Sequence, residues 1–106
     1  MTRPLRKDAA ERREALLKAA AEAFARDGLD APLHLIAEQA GVGRATLYRN
    51  FADRSELALA VFLKQIEELG RQTHDRLDDP EVFLWFLGQM VELMIRSAGL
   101  STAIRD

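Results

Sequence analysis

The sequence predicts an all-α protein, and three observations support that prediction. Apolar residues recur three and four positions apart along most of the 106 residues, which is the spacing of one helix face. Glycine or proline separates the periodic segments, as at Gly28, Pro32 and Pro80. No segment shows the alternation of apolar and polar residues that is typical of a half-buried strand.

The chain begins with a short basic segment and a first helix. Residues 1–7 hold three cations and one proline without periodicity, so we expect a flexible basic arm. Asp8 is the expected N-cap of the helix, with Glu11 in the first turn. Gly28 is expected to end the helix in the left-handed conformation. The predicted inner face consists of Leu16, Ala19, Ala20, Ala23 and Phe24.

Two short helices joined by a glycine-containing turn are predicted next, over about residues 32–51. Pro32 suits the first helical position, because the backbone N–H that proline lacks has no partner within the helix at that position. Residues 41–43 then break the periodicity, and a second helix is predicted from Arg44 to Phe51. The core of this region is predicted to consist of Ile36, Ala37, Ala40, Val42, Leu47 and Phe51.

The second of these helices turns cations, hydroxyls, an amide and an aromatic ring outward. Such a surface on the second of two short helices is typical of a helix-turn-helix that enters a DNA major groove. We therefore predict that residues 8–54 form a DNA-binding domain.

Residues 55–106 are predicted to contain a connecting helix and the beginning of a second helical domain. Ser55 and Glu56 open the connecting helix, which is expected to have two buried sides. One side is formed by Leu57, Ala60, Val61 and Lys64, and the other by Leu59, Phe62, Ile66 and Leu69. Residues 77–80 end in proline and mark a boundary, because proline cannot continue a helix.

A last helix is predicted over residues 81–96. It is apolar on all sides, which predicts burial on all sides. Either it packs on another copy of the chain, or the natural protein continues beyond Asp106 and the sequence is truncated.

Composition excludes several classes of protein. The chain has no cysteine, which rules out disulfides and fits a cytoplasmic protein. No apolar run is long enough to span a membrane, so no membrane partner is expected. The net charge of −2 hides a polarity, because residues 1–54 hold ten Lys/Arg and eight Asp/Glu, whereas residues 55–106 hold five and nine.

Residues 10–65 resemble the N-terminal domain of the TetR/AcrR family of bacterial transcriptional repressors. The resemblance rests on I-A-x-x-A-G-V from Ile36, T-L-Y-x-x-F from Thr46, and a basic residue before E-L at Arg54. It implies a ligand-responsive repressor that binds a palindromic DNA operator as a homodimer. It also implies an unknown small-molecule effector that binds the regulatory domain. We expect no cofactor.

The DNA-binding residues that the pattern and the resemblance predict are Arg44, Ala45, Thr46, Tyr48, Arg49, Asn50, Arg54, Arg3 and Arg6. For Arg44 the alternative is a solvated charge, and for Tyr48 it is a half-buried ring that packs on the first helix. Arg54 is expected to hold a phosphate, since a cation at a helix start otherwise opposes the helix dipole. Arg3 and Arg6 either follow the duplex or belong to a disordered tail.

The last helix supplies a predicted effector pocket, for which ordinary core packing is the alternative. Its predicted lining consists of Phe83, Trp85, Phe86, Met90 and Met94. His34 is expected to be solvent-exposed. His74 with Asp78 is too sparse for a metal site, and no group of residues supports catalysis. The competing function is a helical protein–protein interaction module that does not bind DNA, and a small all-α enzyme lacks support.

Overall fold

A computed structural model describes the backbone of residues 5–96 and the side chains of residues 8–96. That part of the chain is helical and contains no strand, which confirms the all-α prediction. The helices are α1 (Leu5–Asp27), α2 (Leu33–Ala40), α3 (Arg44–Asn50), α4 (Arg54–Asp75) and α5 (Val82–Arg96). The chain divides into two compact units, residues 1–61 and residues 62–106, and α4 contributes to both.

Helix α1 begins earlier than the sequence predicted. It starts at Leu5, so Asp8 lies in its first turn and is not the N-cap. Leucine, arginine and lysine are all good helix formers, which explains why the helix extends back into the predicted arm. The other end agrees with the prediction, because Gly28 has a φ of 82° and its N–H donates to the Phe24 carbonyl at 2.9 Å.

The two short helices and the turn between them are confirmed as α2, residues 41–43 and α3. Gly41 has a φ of 77° and donates to the Glu38 carbonyl, while Val42 donates to the Ala37 carbonyl, both at 3.0 Å. This pair of bonds is a Schellman motif, which requires a left-handed residue and therefore favours glycine. The start of α2 was predicted one residue too early, because Pro32 has a ψ of 129° and is the extended N-cap, and Leu33 is the first helical residue.

The core of the first unit lies where α1, α2, α3 and the first turns of α4 meet. Three of the five buried residues that α1 contributes are alanines. The least exposed members of the core are Leu16, Ala20, Ile36, Leu47, Phe51 and Leu57. A hydrogen bond of 2.9 Å from the Gln39 amide to the Glu22 carboxylate also joins α2 to α1.

Helix α4 begins one residue before the predicted Ser55. Its N-cap is Asp53, whose Oδ1 accepts the Glu56 backbone N–H at 2.9 Å. The Glu56 carboxylate in turn accepts the Ala52 N–H at 3.2 Å. The Asp-x-x-Glu spacing of a capping box was visible in the sequence and explains the start of the helix.

In the second unit, one prediction about burial was wrong, namely that α4 has a second buried side. Leu69 of α4 and Leu93 of α5 are buried, but Ile66 is exposed, as is Leu59 earlier on the same side of α4. Helix α5 begins at Val82 and is largely open, with Ile95 69% exposed. The few helical turns of this unit cannot enclose a helix that is apolar on every side. Among the described helices, none is long and apolar enough to cross a membrane.

Candidate nucleic-acid interface

Helix α3 presents one apolar side to the core and a polar side to solvent. Leu47 is only 1% exposed, whereas the Tyr48 ring beside it is 50% exposed. Arg44, Ala45 and Arg49 are exposed as well. Leu47 and Phe51 anchor α3 to the core, so the orientation of these outward side chains is set by packing.

Two hydrogen bonds organise the polar side of α3. The Arg49 guanidinium donates through Nη2 to the Thr46 hydroxyl at 3.1 Å. The Asn50 amide donates through Nδ2 to the Thr46 carbonyl at 2.9 Å. Each bond spans three or four residues, which is the distance over which helix side chains meet. The bonds leave the second Nδ2 hydrogen of Asn50 and most Arg49 donors available, because an amide has two N–H groups and a guanidinium has five.

Arg54, at the start of α4, has an unpredicted role. Its Nη1 donates to the Leu29 carbonyl at 2.7 Å and to the Ala31 carbonyl. The guanidinium therefore fastens the first residue of α4 to the loop between α1 and α2. Both bonds leave from Nη1, so the Nε and Nη2 hydrogens remain available for an anion.

An open cleft of about 350 Å³ lies beside α3. Residues from α2, α3 and the first turn of α4 line it, together with Pro32. Its lining consists of Pro32, Leu33, His34, Arg44, Leu47, Tyr48 and Arg54. Among these described residues there are two guanidinium groups, an imidazole and a phenol, and no carboxylate. The cleft can therefore donate several hydrogen bonds to an anion and repels none.

Comparison with known proteins identifies this part of the chain. Residues 16–61 match the family described as bacterial regulatory proteins, tetR family. Residues 16–61 are therefore a TetR-family domain. It includes α2, α3 and the start of α4, which hold the cleft and the exposed side of α3. The resemblance predicted from the sequence is thus confirmed.

The chain is also similar to several curated proteins over a longer region than this domain. HTH-type transcriptional regulators of Staphylococcus aureus strains USA300, COL and MW2 are each 30% identical to the chain over 93 residues. The aligned region is 80% of this chain and 50% of each regulator. The chain thus spans about half the length of the curated relatives that it matches. No solved structure matches it.

Arg13 on α1 is a residue of the first unit that sequence reasoning missed. Its guanidinium carbon lies 4.5 Å from the centre of the Phe51 ring, and its Nη1 donates to the Asn50 carbonyl at 3.5 Å. A cation beside the last carbonyls of a helix is favourable, so Arg13 supports the C-terminal end of α3. Periodicity could not reveal this contact, because the two residues are 37 positions apart.

The remaining predicted site residues are distributed as follows. Arg3 and the side chain of Arg6 lie outside the described residues. His34 is exposed, as predicted. In α5, Phe83 is 66% exposed and Met94 63% exposed, whereas Trp85, Phe86 and Met90 are partly buried. The Arg76 guanidinium carbon lies 4.3 Å from the centre of the Trp85 ring.

Proposed function

We propose that this protein is a transcriptional regulator that binds double-stranded DNA, with α3 in the major groove. One observation carries the proposal: α3 buries Leu47 while it exposes Arg44, Ala45, Tyr48 and Arg49. A helix anchored along one side and polar on the other is what major-groove recognition needs. The TetR-family match and the regulators to which the chain is similar support the proposal.

Base contacts come from the beginning and the outer side of α3. Arg44 is its first residue, from which a guanidinium can bind guanine O6 and N7 together. Ala45 permits close approach, and its methyl group suits contact with a thymine methyl. Arg49 lies one turn further along the helix and is exposed, so it contributes to sequence preference.

Phosphate contacts surround these base contacts and fix the position of α3 in the groove. Thr46, Tyr48 and Asn50 supply hydroxyl and amide groups, and Arg54 supplies charge from the start of α4. The Arg54 guanidinium is held at the edge of the cleft, because its Nη1 donates to the carbonyl oxygens of Leu29 and Ala31. Arg3 and Arg6 extend the phosphate contacts along the duplex.

The complete protein is proposed to act as a ligand-responsive repressor on a palindromic operator. A homodimer places two recognition helices one turn of DNA apart, which a palindrome matches. An effector would bind against α5, where Phe83, Trp85, Phe86, Met90 and Met94 offer aromatic and thioether surface. The resemblance to the TetR/AcrR family supports these points. The proposal of DNA binding does not depend on repression, on the homodimer, on the palindromic operator or on the effector.

The first experiment measures binding of the chain to mixed-sequence duplex DNA by fluorescence anisotropy at several salt concentrations. We expect affinity to fall steeply with salt, because phosphate contacts release counterions. Arg44→Ala and Tyr48→Ala should weaken binding. Arg26→Ala is the matched control, since Arg26 ends α1 and pairs with the neighbouring Asp27 at 3.1 Å. Equal affinity of all four proteins would show that α3 is not the recognition helix.

A second experiment addresses the operator. Selection of bound fragments from genomic DNA should recover a palindromic sequence with half-sites one helical turn apart or a multiple of it. Recovery of unrelated sequences by a protein that binds DNA would contradict sequence-specific regulation.

The second candidate function, a protein–protein interaction module, is favoured by the exposed apolar residues of α5. It predicts a stable oligomer that has no affinity for DNA at moderate salt.

A further inference from the structure

The C-terminal end of α3 is held by a side chain that lies outside the helix-turn-helix. Arg13 of α1 places its guanidinium carbon 4.5 Å from the centre of the Phe51 ring and donates through Nη1 to the Asn50 carbonyl at 3.5 Å. Phe51 is buried, so the cation lies over an anchor of α3. The bond to Asn50 is long, and the attraction between the cation and the carbonyl is therefore mainly electrostatic. Neither the motif nor the resemblance assigns a role to Arg13.

Helix α3 depends on contacts of this kind because it is short. It has seven residues, and its N-cap, Gly43, makes no side-chain hydrogen bond. A helix of about two turns is not stable by itself in water, so tertiary contacts must fix its orientation. Leu47 and Phe51 fix it from the core. Arg13 adds a contact at the last turn, where the carbonyl groups have no partner within the helix.

The turn of α3 that Arg13 contacts also carries outward groups. Asn50 supplies the carbonyl that Arg13 approaches, and its side-chain amide donates to the Thr46 carbonyl at 2.9 Å. Arg49 donates to the Thr46 hydroxyl at 3.1 Å and is exposed. The outward side chains therefore belong to the turn whose backbone Arg13 holds. Recognition of a base needs side chains within about 0.5 Å of the productive position, so a small shift of this turn would displace Arg49 from a base edge.

We propose that Arg13 is a positioning residue for sequence recognition, which acts through α3 and makes no contact of its own with DNA. The inference rests on the proposed DNA-binding function. When α3 has more than one orientation, the affinity for a preferred sequence falls in proportion to the population of the orientation that reads it. Binding to phosphates does not require that alignment, because phosphate contacts carry no direct sequence information. Arg13 therefore contributes to the discrimination between sequences.

A direct contact between Arg13 and a phosphate would have a different signature. Loss of a phosphate contact weakens binding about equally on every sequence and lowers the salt dependence by about one ion. Loss of a positioning contact lowers the affinity for preferred sequences more than for mixed-sequence DNA, and it leaves the salt dependence unchanged. A contact that only stabilises the fold changes the unfolding midpoint and neither of these binding quantities.

The test uses the complete chain to select duplexes from a library of about two helical turns whose central positions are randomised. Anisotropy then gives the affinities for the most enriched duplex and for a mixed-sequence duplex at several salt concentrations. Arg13→Ala should lower the ratio of the two affinities about two- to fivefold, the size of an exposed cation–π contact. Arg13→Lys should recover part of the ratio, because an ammonium keeps the charge but lacks the planar guanidinium.

Two further variants make the result independent of charge and of folding. Arg12→Ala removes the same charge at the adjacent exposed position of α1 and should keep the wild-type ratio. Arg13→Met keeps an apolar stem beside Phe51 without charge or donors, and it should behave as Arg13→Ala does. Circular dichroism checks that each variant is folded at the temperature of the binding measurement. The base positions at which Arg13→Ala loses preference should coincide with those lost in Arg49→Ala.

The outcomes separate the inference from the proposed function. If wild type selects sequences and both Arg13→Ala and Arg13→Met keep its affinity ratio, the positioning role is wrong and DNA binding stands. An equal loss on both duplexes with a lower salt dependence would also overturn it, because Arg13 would then bind phosphate directly. If wild type binds DNA without preference, Arg13 has no discrimination to set and the inference fails. If wild type binds neither duplex, the proposed function fails, and the inference fails with it.

Discussion

The Nη1 atom of Arg54 lies 2.7 Å from the carbonyl oxygen of Leu29, so the first residue of α4 is bonded to the loop that ends α1. The same atom donates to the Ala31 carbonyl, one residue before the N-cap of α2. A single side chain therefore holds together the loop before α2 and the start of α4. In the proposed function it also faces DNA phosphate, which connects stability of the domain with binding.

Arg54→Ala should destabilise the first unit by about 1–2 kcal/mol, because hydrogen bonds from a charged donor to two carbonyls are lost. Arg54→Lys should recover only part of this, since an ammonium lacks the planar fork of the guanidinium. The midpoint of thermal unfolding, followed by circular dichroism, measures the effect. Arg26→Ala removes an exposed arginine and should change stability by less than about 0.5 kcal/mol. An Arg54→Ala variant as stable as Arg26→Ala would contradict the role of the loop bonds.

Arg13→Ala should loosen the C-terminal end of α3. We expect a loss of about 0.5–1 kcal/mol, the size of an exposed cation–π contact, and a changed chemical shift of the Phe51 ring protons. Arg12→Ala, at the adjacent exposed position of α1, is the control and should leave the Phe51 signals in place. The result would be contradicted if both variants moved those signals equally.

The same substitution at two glycines of the turn should have opposite effects. Gly41→Ser should destabilise the domain by about 1 kcal/mol, because Gly41 has a φ of 77° and a side chain is strained there. Gly43→Ser should stabilise it by a few tenths of a kcal/mol, because Gly43 is an extended N-cap of α3 without a side-chain cap. An added Cβ meets nothing within 4 Å at either position, so backbone conformation alone separates them. Thermal unfolding of both variants checks the sign.

Ala20→Leu should destabilise the first unit by about 1–3 kcal/mol, because Ala20 is fully buried and extra volume forces the helices apart. Ala25→Leu makes the same change at an exposed position of α1 and should stay within about 0.5 kcal/mol of wild type. Urea unfolding of the two variants gives the comparison. Equal stability would mean that α1 does not pack through its alanine face.

A bond from Arg71 holds the pKa of the Glu68 carboxyl below its usual value, and a second bond from Gln72 acts in the same direction. A carboxyl group whose pKa is lower in the folded than in the unfolded protein stabilises the fold at pH values above its unfolded-state pKa. That stabilisation is lost as the pH falls through its folded-state pKa. The Glu68 side chain is exposed to solvent, so the effect on stability should be small. A carboxyl titration followed by NMR should show the pKa rising in Arg71→Gln. An unchanged titration would exclude the Arg71 bond in solution.

The local patterns of the sequence predicted much of the first unit. The apolar residues Ile36, Ala37 and Ala40 predicted α2, and residues 41–43 predicted its end, because both signals depend on neighbours in the chain. The Asp-x-x-Glu pattern at Asp53 was equally local and was overlooked. The starts of α1 and α2 were predicted less well, because the residues near Leu5 and Pro32 are compatible with a helical or an extended backbone.

Burial in the second unit shows where local patterns fail. The apolar residues of α5 predicted a helix correctly. They also predicted that another copy of the chain or a continuation of it covers the helix, and within this chain α5 is largely exposed. Periodicity reports which faces of a helix are apolar, and it does not report whether another element is present to cover them.

Local sequence patterns were enough to predict the helices, the turn at Gly41, the anchors Leu47 and Phe51, and the outward residues of α3. Backbone conformation and helix periodicity are local, so they can be read from neighbouring residues. Three other relationships became visible in the folded chain: Arg13 meets Phe51, Arg54 donates to the Leu29 carbonyl, and His34 lines the same cleft as Arg44. The residues of these pairs are 10 to 38 positions apart in the chain, and packing of the core brings them together.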